Sequence, residues 1–281
     1  MAGAEGLTTG YGPGIPAADN FLNDFVQENA ASFAGLGRAR GDRVARVDDV
    51  GTLVDAGSPV PFSNRAVLER PIDDVGFVVD HVRPFYDGES DAPFLLDSAW
   101  PTPDLRDVGF QLMGHPPLML RPAGIPLPDA PPELRIVRVE DEQTAYDFEH
   151  TIVYGYPAPQ LQPMNAVTIM TPGALGAPGW QHFVGYVDDE PVTTGSGFAG
   201  DRLVRVDNIA TLEPARGRGY GRAMTAAAMA VDPAKPAALI SSDLGRPVYE
   251  RLGFVAVLRC TYWLGLRNPP ARPRPRQQLA R

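Results

Sequence analysis

The chain of 281 residues contains a single cysteine, Cys260, so no disulfide forms within it. A chain of this size is long enough to rely on a packed core, and the lack of disulfides fits a reducing, cytoplasmic setting. Apolar runs are short, as in Ala226–Val231, far below the roughly 20 residues of a membrane span. No membrane association is therefore expected. The first residues, MAGAEGLTTGYGPGIP, lack the basic start and apolar stretch of a secretory signal. A basic excess is also missing: 25 Lys and Arg stand against 34 Asp and Glu, a net charge of −9. That argues against nucleic acid as a main partner, because phosphate binding needs a basic surface. The 4 histidines, His81, His115, His150 and His182, fall at no metal-ligand spacing, so no metal is expected.

Turn formers are plentiful, with 30 prolines and 29 glycines. They imply short elements joined by many turns. The Pro-rich stretch Arg121–Pro132 reads as a semi-rigid linker. It divides the chain into residues 1–120, a linker 121–132, residues 133–268, and a basic, disordered tail 269–281. A shift of 144 residues relates the halves in two blocks. Asn64, Ala66, Leu68 and Glu69 recur as Asn208, Ala210, Leu212 and Glu213. Leu95, Ser98, Pro103, Gly109, Phe110 and Leu120 recur as Leu239, Ser242, Pro247, Gly253, Phe254 and Leu264. Two separated blocks at one shift point to a duplication, with both halves sharing one fold.

In the second half, Leu134–Val139 alternates as a strand and Glu140–Val153 has helical spacing. Gln181–Val187 and Val192–Ala199 flank a turn and read as a hairpin. Leu203–Leu212 is a long strand, Gly221–Val231 a helix, Ala237–Ser241 a short strand, and Arg246–Leu252 a short helix. Val255–Leu258 and Thr261–Leu266 close the sequence of elements. The predicted class is α/β: a mixed, mostly antiparallel twisted sheet with helices on both faces, duplicated along the chain.

The segment Arg216-Gly217-Arg218-Gly219-Tyr220-Gly221 joins the long strand to a helix. The first N–H groups of a helix have no partner within it, and the helix dipole adds positive charge there. Glycines let a phosphate approach the backbone, and Arg216, Arg218 and Arg222 add charge. The corresponding first-half segment, Ile72–Phe77, carries Asp73 and Asp74, which repel a phosphate.

The run Ile209–Gly221 (IATLEPARGRGYG) resembles the acetyl-CoA motif of the GNAT acetyltransferase superfamily. Tyr249–Phe254 (YERLGF) resembles the same family's second hallmark, 28 residues on from Gly221. The resemblance covers about 134–266. It implies that Ala210, Thr211 and Leu212 pair with the pantetheine arm of acetyl-CoA, and that Gly217 to Arg222, with Arg216, hold the pyrophosphate. It further implies that the Leu212 N–H stabilises the thioester oxygen and that Tyr249 protonates the departing thiolate. Many members carry a carboxylate base on the strand before the loop. Here Asp207 is the candidate, although it faces the other way in a regular strand. A bulge would re-aim it, and deprotonation through water is the alternative. Ser242 stands where many members have a pantetheine-binding asparagine. Glu149, His150 and His182 are further candidates on the acceptor side. The resemblance thus implies an acetyl-CoA-dependent N-acetyltransferase acting by direct attack of a small-molecule or peptide amine, with oligomeric state open. A non-catalytic acyl-CoA-binding sensor is the rival reading.

Overall fold

The computed structural model describes residues 21–267 apart from 49, 89–90 and 157–158. The tail at 269–281 and the opening segment lie outside these residues. The first half begins with α1 (Phe21–Arg40), whose Phe25, Val26, Ala30, Phe33 and Ala34 recur at helical spacing and are buried. Then come β1 (Arg43–Val47), β2 (Gly51–Asp55) and β3 (Arg65–Leu68). A π-helical turn, Val78–Val82, runs into α2 (Arg83–Tyr86), followed by β4 (Phe94–Ser98), β5 (Phe110–Gly114) and β6 (Pro117–Arg121).

The second half has β7 (Arg135–Arg138), α3 (Glu142–Gly155), α4 (Pro172–Leu175), β8 (Trp180–Val187), β9 (Glu190–Ala199) and β10 (Val204–Thr211). It continues with α5 (Tyr220–Met229), β11 (Ala237–Ile240), α6 (Arg246–Glu250), β12 (Val255–Arg259) and β13 (Thr261–Gly265). Every element expected between 134 and 266 is present, with small shifts of boundary. The start of α3 moves to Glu142 because Asp141 caps it, accepting from the Thr144 N–H at 2.8 Å. The β8–β9 hairpin turns through Asp188 and Asp189 at φ 50° and 63°, a geometry that aspartate tolerates.

The strands form two mixed sheets. One has the order β1-β2-β3-β4-β13-β5, the other β12-β6-β11-β10-β9-β8-β7. Each half lends its last strand to the other. β13 lies between β4 and β5, and β6 lies between β11 and β12. The cores follow suit: Trp263 of β13 packs with Leu53, Phe94 and Phe110, while Met119 of β6 packs with Val206, Leu239 and Phe254. A third cluster joins the halves directly through Phe25, Leu95, Leu118, Leu203, Ala238 and Tyr262.

The 144-residue shift maps β4, β5 and β6 onto β11, β12 and β13, and the Val78–Tyr86 helical stretch onto α5. Gly109 and Gly253, which the shift equates, both hold left-handed turns, at φ 88° and 89°. Segment 122–134 has no regular strand or helix, and it is tied down. Arg121 donates to the carbonyls of Ile125 and Leu252, each at 2.6 Å.

Candidate functional site

β10 organises the site. It runs parallel to β11 only at Val204↔Ala237 and Arg205↔Ala238. Beyond Arg205 the strands part, and β10 keeps a partner only on its β9 side. The β9 register then skips: Asp207 faces Ser196, but the next pair is Ala210↔Thr194. The extra residue is a bulge at Asn208, in the left-handed region at φ 55°. The bulge disturbs the ladder, and hydroxyls of β9 take up the stray carbonyls. Thr194 donates to the Asn208 carbonyl at 3.0 Å and Thr193 to the Ala210 carbonyl at 2.7 Å. Leu212 N–H donates to the Val192 carbonyl at 3.0 Å.

Backbone groups along a strand point alternately to either side. Since Asn208, Ala210 and Leu212 turn to β9, Ile209 and Thr211 turn to the open edge. This corrects one expectation from the sequence. The Leu212 N–H is committed to the sheet and does not face the opening. Ile209 and Thr211 carry the N–H groups that do.

The open edge leads into the glycine loop. Gly217 and Gly219 hold φ 79° and 87°, conformations in which a side chain would be strained. Among the described residues, no backbone N–H from Gly217 to Arg222 has a hydrogen-bond partner. These donors cluster at the N-terminus of α5. That helix is seated by small residues: a Cβ at Gly197 would lie 2.1 Å from the Ala228 carbonyl, and one at Gly195 3.2 Å from the Met224 carbonyl. Arg218 and Arg222 are exposed beside the loop. Arg216 is also exposed, but its guanidinium bonds the carbonyls of Thr211 at 3.1 Å and Gly155 at 2.9 Å. It locks the strand end to α3. The Tyr220 ring is buried, and its hydroxyl donates to Glu133 at 3.0 Å, so only its backbone faces the loop.

Tyr249 stands on α6, packed edge-on against Phe254 at 5.9 Å. Burial, aided by the charge of Asp207, pushes its phenol up to about 12. Tyr156, at the end of α3, is exposed. Ser242 is exposed, and its Oγ accepts from the Gly245 N–H at 3.0 Å, capping the turn into α6.

Asp207 is spoken for on both oxygens. Oδ2 accepts from Arg205 at 2.6 Å and Oδ1 from the Asn208 N–H at 2.9 Å. Burial works against its charge, but Arg205, Arg65 and the Asn208 N–H outweigh it and hold its carboxyl below the usual range.

The first half is closed at the equivalent place. β3 pairs with β4 through Arg65↔Leu95, Ala66↔Leu96 and Val67↔Asp97, the counterparts of Ile209–Thr211. Phe77, the counterpart of Gly221, packs into the core beside Gly51. Leu105, the counterpart of Tyr249, is buried.

The architecture aligns with known structures. A GCN5-related N-acetyltransferase from Kribbella flavida aligns with a TM-score of 0.60 at 21% identity, over 85% of this chain and 95% of that one. Another, from Sphaerobacter thermophilus, aligns at 0.52 and 13% identity, over 88% and 94%. A tandem GNAT protein of the clavulanic acid biosynthesis pathway, solved without AcCoA, aligns at 0.50 and 14% identity, over 81% and 83%. The chain has the GNAT fold. No family model matches the sequence, and no curated protein is significantly similar to it.

Within this GNAT fold, Thr211 lies at the open edge of β10, and Gly217, Arg218, Gly219, Gly221 and Arg222 lie on the loop and helix start that follow it, whereas Ala210 and Leu212 turn their backbone groups to β9. Three other candidates take structural places. Glu149 is buried and accepts from Thr168 N–H, Thr168 Oγ1, Ile169 N–H and Met170 N–H at 2.7 to 2.9 Å, pinning the α3–α4 connection. His150 sits between Tyr146 and Tyr154 on α3, with ring centroids 6.1 and 4.6 Å away. His182 is buried behind the bulge. Sequence reading missed Ile209, since its turn to the open edge depends on the bulge. A cavity of about 360 Å³, lined by Arg138, Leu175, Pro178, Trp180, Gln181 and Ala199, lies at the opposite end of the β8–β9 hairpin. No helix among the described residues is long and apolar enough to cross a membrane.

Proposed function

We propose that this protein is an acetyl-CoA-dependent N-acetyltransferase that passes an acetyl group directly to an amine. One observation carries the reading. β10 leaves β11 with an open edge that leads straight into a row of unpartnered N–H groups at a helix N-terminus. Such a row suits a pyrophosphate. The open edge suits an extended amide arm, which pairs as an added strand would. Acetyl-CoA has both parts, and when bound it supplies the acetyl thioester.

In this reading Gly217 to Arg222 bind the pyrophosphate, with Arg218 and Arg222 screening its charge. The Ile209 and Thr211 N–H groups face the open edge. Ile209, next to the bulge, donates to the oxygen on which negative charge grows, and Thr211 holds the arm. Tyr249, protonated at neutral pH, supplies the proton to the thiolate. Asp207 is a weak base, because Arg205 and Asn208 occupy both oxygens and Arg65 adds positive charge. The amine therefore gives its proton to water. The first half, closed at its own strand pair, binds no acetyl-CoA and supports the second.

The test is calorimetry with acetyl-CoA on the wild type and on Gly221→Asp. A Cβ at 221 only touches Thr211 Oγ1, at 3.4 Å, and an acid there suits the start of α5. The helix should stand, while the added charge repels the pyrophosphate. Saturable wild-type binding, weakened at least about tenfold in the variant, supports the site. No binding to folded wild type overturns it. The rival is a non-catalytic acyl-CoA sensor, favoured by the occupied carboxylate of Asp207. It predicts binding without release of thiol on a panel of amines.

A further inference from the structure

The Asn208 bulge sets the phase of β10, and with it which N–H groups reach the open edge. Every polar group of Asn208 that has a partner is held by a neighbour. Its N–H donates to Asp207 Oδ1 at 2.9 Å, and its carbonyl accepts from Thr194 at 3.0 Å. Its side-chain Nδ2 donates to Ser196 Oγ at 3.1 Å, and Ser196 Oγ in turn meets His182 Nδ1 at 2.7 Å. His182 is 2% exposed and lies flat on Trp180, with ring centroids 5.6 Å apart and planes 9° from parallel. Its Nε2 has no hydrogen-bond partner among the described residues.

These contacts fix one direction along the chain. Burial depresses the imidazole to about 4, so His182 is neutral at ordinary pH. The Asn208 Nδ2 can only donate, which leaves the Ser196 hydroxyl proton for His182 Nδ1 as acceptor. Ser196 then donates its O–H to His182 and accepts from Asn208. Ser196 is fully buried, and neither it nor His182 reaches the opening. Packed between the rings of Trp180 and Phe148, the imidazole has one hydrogen bond among the described residues, and that is to the hydroxyl serving the bulge.

We propose that His182 and Ser196 are positioning residues: through the Asn208 side chain they hold the left-handed bulge that aims the Ile209 N–H at the open edge of β10. The inference rests on the acetyltransferase reading for its effect on turnover, but its structural core does not. Asn208 tolerates positive φ without being confined to it, so the side-chain clamp selects this state. A shift of the strand phase by one residue would exchange the groups on the open edge for those facing β9.

The test uses the full chain as Ser196→Ala, Asn208→Gly and the double variant. Glycine enters the left-handed region unaided and has no side chain for Ser196 to hold, so it uncouples the bulge from His182. Hydrogen exchange over 204–212 reads the bulge itself, and acetyl-CoA calorimetry and amine-dependent thiol release read the site. Ser196→Ala is expected to speed exchange at 204–212 at least about tenfold, with 51–68 unchanged. It should lower kcat about 10- to 100-fold while the acetyl-CoA Kd moves less than threefold. In the Asn208→Gly background the same substitution should add nothing. Unchanged exchange at 204–212 in Ser196→Ala overturns the proposal, as do independent, multiplying effects in the double variant. If wild type binds no acetyl-CoA, the acetyltransferase reading falls, and the exchange measurement still decides the clamp.

Discussion

Leu118→Ala is the most direct perturbation of the exchanged strands. Leu118 belongs to the first half by sequence, yet it is fully buried in the second half's sheet, paired with Ile240 on one side and Leu258 on the other. Deleting a buried leucine to alanine costs about 2–5 kcal/mol. Against a usual total of about 5–15 kcal/mol, that is a substantial fraction. At about 2–4 °C per kcal/mol for a chain of this size, a 3 kcal/mol loss lowers Tm by roughly 6–12 °C. The larger claim concerns where the loss is felt. Because β13 returns to the first sheet, between β4 and β5, neither sheet can open without releasing a strand of the other. Urea unfolding followed by tryptophan fluorescence and far-UV circular dichroism should shift as a single transition. Hydrogen exchange should rise together at 51–68 and 204–212. A fragment starting at residue 133 should fail to fold, since β12 pairs with β6 alone. Two separate transitions in Leu118→Ala, or a first half as protected as in wild type, would refute the reasoning.

Two further predictions concern single side chains. Tyr249→Phe should cut kcat by about 10²- to 10⁴-fold with acetyl-CoA affinity intact. Because the wild-type phenol is pushed up to about 12, it stays protonated as pH rises, and the acid is lost only near that value. The kcat–pH profile should therefore have no falling limb from Tyr249 below about pH 11; a limb near pH 8 that vanishes in Tyr249→Phe would show a far more acidic phenol. Glu149→Gln turns one of the acceptor oxygens behind Thr168, Ile169 and Met170 into a donor facing donors. It should cost about 1–3 kcal/mol and deprotect those amides to hydrogen exchange; wild-type protection there would mean that the connection is held by its apolar residues instead.

The second half was readable because its local signals agree with its packing. Alternation marked β8 and β9, alanines and methionines marked α5, and glycines marked the loop. The phase of β10 was hidden, since nothing in Asp207-Asn208-Ile209 announces an extra residue in the ladder. A regular strand would have turned Asp207 and Asn208 to other sides, whereas the Leu212 expectation came from the family resemblance and is corrected by its bond to Val192. Asn208 and the hydroxyl row Thr193, Thr194 and Ser196 were the available signal. Three fully buried hydroxyl residues within four positions of a strand must satisfy something irregular nearby. The exchange of β6 and β13 was equally hidden. A buried strand reads the same whichever sheet receives it, because hydrophobic pattern reports burial and not the partner.

The same exchange bears on why the first half accompanies a site that it does not itself form. Its α1 is wedged between the sheets. Glu28 accepts from the Leu203 N–H at 3.3 Å, and the Ser32 carbonyl accepts from Trp180 Nε1 at 3.2 Å. Phe33 meets two guanidinium groups, Arg65 at 4.2 Å and Arg205 at 4.3 Å from its ring centre. Arg65 is paired with Asp97 at 2.5 Å and Arg205 with Asp207 at 2.6 Å. Each buried cation thus has its own carboxylate, and an aromatic face lies between them, which is how paired charges are tolerated away from water. Removing Arg65 would leave Asp97 uncompensated and withdraw positive charge from Asp207. The first half therefore reaches the second through electrostatics and strand pairing. A degenerate copy that had lost only its glycine loop could keep both roles.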